Sequence, residues 1–212
     1  LEIIKKCREE VGNDFAISIK MNSADFQKGG FSPEDSIQVA KLFSDSGIDN
    51  IEISGGTYEQ PRLLGLDKVS INPKRSENRK ESTIAREAYF LSYAEEIAKV
   101  VNIPLMVTGG FRTKEGMEAA LADGACEIVG VGRPLCANPY AIKELLAGQI
   151  DELPKYEKTL SIGPWWLSPT SPFRLIQAIN AFSAQAWFYQ QIKKMGKGLM
   201  PDLTLKPWKA FR

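Results

Sequence analysis

The chain has 212 residues, of which 43% are apolar, 25% charged and 9% aromatic. Its 27 Lys and Arg against 26 Asp and Glu leave a net charge of +1, so no basic excess draws nucleic acid and none is expected as a partner. The length suits a single core, and no apolar run approaches the ~20 residues of a membrane span, so no membrane partner is expected.

Cys7, Cys126 and Cys136 are too widely spaced for a C-x-x-C pattern and read as a reduced set, which predicts a cytoplasmic protein without a metal site. Histidine is absent. That excludes imidazole metal ligands and Ser-His or Cys-His nucleophile pairs from these residues. Leu1 to Gly12 is charged and amphipathic, so it is not expected to be a signal peptide.

Leu1, Ile4, Cys7 and Val11 recur at helical spacing and predict a first helix that closes near Gly12. Phe15 to Met21 reads as a strand. Ser32, Pro33 and Asp35 then form a helix start, with Ser32 as N-cap, Pro33 at the first position and Asp35 completing a capping box. That helix is expected to stop at Gly47.

The unit then repeats. Strands are expected at Asn50 to Ile53, Pro104 to Val107 and Cys126 to Val131. Helices are expected from Thr83 to Val101, from Thr113 to near Gly124, and from Ala137 to Ala147. Such alternation predicts βαβ units and a parallel sheet. Gln149 to Pro172 is aperiodic, and Trp165 and Trp166 within it read as packing residues. Phe173 to Met195 reads as a helix whose apolar residues are Phe182, Ala186, Phe188, Tyr189 and Ile192.

Parallel α/β proteins place working groups at the C-terminal ends of their strands. Val107 leads into Thr108-Gly109-Gly110, and Val131 into Gly132-Arg133. Glycines let backbone N–H groups approach a phosphate closely, and an arginine adds a bidentate, charge-assisted contact. Two such loops after successive strands predict a phosphate site, although each alone could be a tight turn. Lys20, inside an apolar strand, is costly to bury unless it faces a cavity or an anion; the alternative is an edge lysine facing water. After the second strand, Ser54-Gly55-Gly56 would let a flat ligand approach the backbone, and Tyr58 and Glu59 are candidate substrate contacts. The mixed run Lys74, Arg75, Glu77, Arg79, Lys80 and Glu81 reads as a solvated loop.

Five ordered stretches resemble the old yellow enzyme family of NADH:flavin oxidoreductases. They are IKMNSADFQKGGF from Ile19, IEISGGTYE from Ile51, REAYFLSYA from Arg86, PLMVTGGFRT from Pro104 and VGVGRPLCANP from Val129. The tail from Ala186 to Leu205 also looks like the end of this family. The resemblance implies an FMN-binding (β/α)8 barrel of which this chain carries only strands 5 to 8, a half barrel with a C-terminal helical tail. Residues 1–148 would be that half, and 149–212 a linker, helix and tail.

The resemblance also implies roles. Lys20 matches the residue that contacts the flavin pyrimidine, where positive charge favours the reduced anion. Gly109, Gly110, Gly132 and Arg133 match the phosphate loops. The family's substrate-anchoring pair and proton-donating Tyr follow strand 4, so no catalytic residue is assigned within the chain. The implied reaction moves hydride from NADH or NADPH through FMN to an activated alkene or similar small molecule. The chain alone is expected to be inactive and to need the other barrel half or self-association. The family's iron–sulfur branch uses closely spaced cysteines after the barrel; Cys136 is the last here, and no cluster is expected. Two rival readings are another phosphate-binding barrel enzyme and a non-catalytic half-barrel interaction module.

Overall fold

A computed structural model describes residues 1–25, 30–54 and 90–210. They fall into two compact units, one of residues 1–111 and 115–130, the other of residues 112–114 and 131–212.

The first unit alternates helix and strand: α1 (Glu2–Val11), β1 (Ser18–Asn22), α2 (Pro33–Ser44), β2 (Asn50–Ser54), α3 (Leu91–Ala98), β3 (Leu105–Thr108), α4 (Lys114–Ala122) and β4 (Ile128–Gly130). The four strands form one parallel sheet in the order β1-β2-β3-β4. The α2 start is as expected: the Ser32 hydroxyl accepts from the Asp35 N–H, and the Asp35 carboxylate accepts from the Ser32 N–H. These bonds satisfy backbone donors that a helix start leaves open.

Two strands begin later than the apolar pattern predicts, because acidic side chains take over the backbone. Asp49 accepts the Ile17 N–H at 2.7 Å, and Arg8 reaches the Phe15 carbonyl at 2.7 Å, so β1 starts at Ser18. Likewise Glu127 accepts the Leu105 N–H at 2.7 Å, and β4 starts at Ile128. Of the expected Thr83 to Val101 helix, α3 ends at Ala98, short of Val101; residues 83–89 lie outside the described residues.

Side chains alternate across the sheet. Ile19, Met21, Ile51, Ile53, Leu105, Val107 and Val129 join Ile4, Ala40, Ala94 and Ile97 in the core. Each fully buried Ile contributes about 1.5–3 kcal/mol. Lys20, Glu52, Met106 and Ile128 are register partners on the opposite face, and none of them is buried.

The second unit holds α5 (Arg133–Ala137), α6 (Ala141–Leu146), α7 (Tyr156–Thr159), a 3-10 turn (Trp165–Leu167), α8 (Arg174–Met195) and a last 3-10 turn (Pro207–Lys209). The expected helix from Ala137 to Ala147 is broken. Pro139 disfavours helical backbone at Asn138, which is extended, and the Asn138 side chain accepts the Tyr140 N–H to start α6.

The buried face of α8 is only partly the one its apolar residues predict: Phe188 is buried and Ala186 packs against the core as expected. Phe182, Tyr189 and Ile192 are exposed, while Asn180, Ser183, Trp187, Phe188 and Gln191 are buried. Asn180 binds the Ile162 N–H and the Leu167 carbonyl; Gln191 binds both backbone groups of Asp202; Trp187 donates to the Leu205 carbonyl. Buried polar side chains here satisfy the irregular backbone on either side of the helix. Trp165 is 87% exposed and Trp166 is exposed as well, so neither packs as expected.

Candidate functional site

The C-terminal ends of the strands carry the candidate residues. At the end of β1 the Ser23 N–H donates to the Ser54 carbonyl at 2.6 Å, tying β1 to the end of β2. Asp25 then holds the backbone together: its N–H donates to the Phe31 carbonyl, and its carboxylate accepts the Phe31 N–H. The Ser23 side chain is fully buried, and its hydroxyl has no partner among the described residues.

Lys20 lies on β1, an edge of the described sheet, with its side chain 56% exposed. Its Nζ is 2.5 Å from Glu52 Oε1 on β2. The anion that its position called for is therefore a carboxylate of the neighbouring strand. Tyr58, Glu59, Gly55 and Gly56 lie outside the described residues.

Gly109 and Gly110 follow β3 with φ of 126° and 91°. Side-chain-bearing residues rarely adopt such angles, so glycine is needed for the chain to turn here and present its amides. Gly130, at the end of β4, has a different reason to be glycine. The Thr108 side chain occupies the space where its Cβ would stand.

In the second unit Gly132 begins α5, and Arg133 follows with its side chain 26% exposed. Arg112, whose side chain is 7% exposed, donates from Nη2 to Glu157 Oε1 at 2.6 Å. Arg133 Nη1 is 3.7 Å from the same oxygen. Burial would push the Glu157 carboxyl up, but Arg133 and Arg112 together hold it below its ordinary value. Burial pushes the Cys126 and Cys136 thiols up, so neither is a ready thiolate.

Sequence reasoning missed Arg112, Glu157 and Glu52. Glu52 had a signal, a charge in mid-strand like Lys20. Glu157 had none, because it lies in a segment without periodicity and 45 residues from Arg112. The donor set fits an anion: Arg133 is beyond hydrogen-bonding distance of Glu157, and its planar guanidinium carries five N–H donors.

The described sheet is a parallel α/β sheet, with glycine turns after β3. Residues 1–152 match the profile of the NADH:flavin oxidoreductase / NADH oxidase family, and the chain belongs to that family. The family is named for flavin and NADH.

The chain is 38% identical over 151 residues to the NADH-dependent flavin oxidoreductase iliE of Hypocrea jecorina (strain QM6a), covering 69% of this chain and 35% of that protein. It is 30% identical over 201 residues to the NADH-dependent flavin oxidoreductase iccE of Talaromyces variabilis, covering 93% of this chain and 46% of that protein. It spans less than half the length of either relative. Among solved structures, a 2-naphthoyl-CoA reductase in complex with 2-naphthoyl-CoA is similar with a TM-score of 0.56 and 26% identity, over 72% of this chain and 21% of that one. Among the described residues no helix is long and apolar enough to cross a membrane, and no cluster of side chains could hold a metal ion.

Proposed function

We propose that this chain is the strand-5-to-8 portion of an FMN-dependent (β/α)8 barrel, with residues 1–148 in the barrel and 149–212 forming a linker, helix and tail. The whole protein moves hydride from NADH or NADPH to an activated alkene or similar small molecule. FMN, when bound, supplies the hydride acceptor and donor. The observation that carries this reading is the uninterrupted parallel order β1-β2-β3-β4, with glycines after β3 and an arginine after β4.

In this reading Gly109 and Gly110 offer backbone N–H groups to the cofactor phosphate, as does Gly132, and Arg133 adds a charge-assisted contact. Lys20 faces the flavin pyrimidine and favours the reduced anion. Glu52 orients the Lys20 ammonium and offsets part of its charge. Tyr58 and Glu59 contact substrate. The proton that completes alkene reduction comes from a group in the other barrel half.

β1 and β4 are the edges of the described sheet. Unpaired edge strands favour association with another chain, so the chain works with the other barrel half or with a second copy. The test is purification of the intact protein with its flavin spectrum, alongside the 212-residue chain alone. A yellow intact protein that reduces an enone with NADPH, and a self-associating chain with no turnover above free FMN, are the expected results. An intact protein that takes up no FMN overturns the reading. A monomeric, active 212-residue chain overturns the half-barrel part of it.

A further inference from the structure

We infer that Glu157 is a resident anion at the arginine that receives the cofactor phosphate, sharing Arg133 with it and limiting how strongly the site favours a phosphorylated flavin over an unphosphorylated one. This rests on the reading that Arg133 holds the FMN phosphate.

Arg112 is nearly buried and donates to Glu157 Oε1 at 2.6 Å. This charge-assisted bond to a nearly buried guanidinium holds the carboxylate at Arg112. Arg133 lies 3.7 Å from the same oxygen, close enough to be attracted and too far to donate. The other oxygen, Oε2, is buried and accepts no hydrogen bond from the described residues. Arg133 thus stands near a carboxylate to which it makes no hydrogen bond.

Charge counting gives the consequence. Among the described residues, two guanidiniums meet one carboxylate here. A flavin phosphate at Arg133 brings up to two negative charges beside Glu157. Repulsion between the two anions then offsets part of the Arg133 contact.

Glu157 has little room to withdraw. The Leu153 N–H donates to the Arg112 carbonyl at 2.7 Å, and Glu152 bridges to Thr113, which ties the incoming backbone to Arg112. On α7 the neighbouring Tyr156 ring lies 6.0 Å from the ring of Trp187 in the core. Sharing, rather than departure, is the state open to this carboxylate.

The test measures FMN and riboflavin affinity of the intact protein by quenching of flavin fluorescence. Glu157→Gln keeps an acceptor for Arg112 and removes only the charge. FMN should bind about fivefold tighter, the scale of one partly exposed ion pair, with riboflavin unchanged. Arg133→Ala should abolish most of the preference for FMN, and in the double variant the gain from Glu157→Gln should vanish. Glu157→Asp, which draws the carboxylate back by one methylene, should give a smaller gain of the same sign and serves if the Gln variant does not fold. Unchanged or weaker FMN binding in the Glu157 variants, with Arg133→Ala still costing the preference, overturns the role of Glu157 alone. No loss of preference in Arg133→Ala overturns the phosphate reading beneath it.

Discussion

Lys20 and Glu52 are register partners on adjacent parallel strands, and their charged ends meet at 2.5 Å on the face of the sheet opposite the core. More than half of the Lys20 side chain is exposed, so the pair contributes only about 0.2–1 kcal/mol to stability. On the proposed reading its consequence lies in the field at the flavin. Lys20→Met should lower the FMN reduction potential, and Glu52→Gln should raise it by exposing the full ammonium charge. Potentiometric titration of both variants checks this; equal potentials in wild type and Lys20→Met would remove Lys20 from the flavin.

Arg133 carries the phosphate assignment. Arg133→Ala should weaken FMN binding by about 1.5–3 kcal/mol, the range for hydrogen bonds to charged groups. Equilibrium dialysis against FMN measures this directly, and full flavin retention would refute the assignment.

Thr108 and Gly130 face one another across β3 and β4, and the Thr108 side chain fills the space of a Cβ on Gly130. Gly130→Ala should therefore destabilise the fold by about 1–3 kcal/mol through overpacking. Adding Thr108→Ala should restore part of the loss, although the Met106 methyl also lies close to that Cβ. Denaturant unfolding of the single and double variants measures both effects.

Asp202 ties the tail to α8. Its carboxyl is pushed down to about 2, chiefly by the Thr204 hydroxyl and then by Lys194, which donates at 2.9 Å. A folded pKa below the unfolded value of about 3.9 means that the stabilisation is complete above that value and is lost as pH falls toward 2. Melting temperatures of wild type and Asp202→Asn should differ by a constant amount at neutral pH and converge between about pH 4 and pH 2. A difference that stays constant down to pH 2 would show that the carboxylate charge is not what matters.

The sequence by itself determined the parallel α/β order, the α2 capping box and the family. Each depends on local chemistry: alternation of Ile51 and Ile53 around Glu52, a cap that bonds within four residues, and glycines at turns. Tertiary structure decided the rest, because it depends on partners distant in the chain. Acidic side chains of Asp49 and Glu127 set where β1 and β4 begin, by taking N–H groups that the apolar pattern would give to strands. Gln191 and Asn180, polar residues with no place on an apolar stripe, chose the buried face of α8 by satisfying backbone on either side of the helix. Glu157 reached Arg112 and Arg133 from a segment with no periodicity, because a nearly buried guanidinium requires a negative charge wherever in the chain one can be supplied.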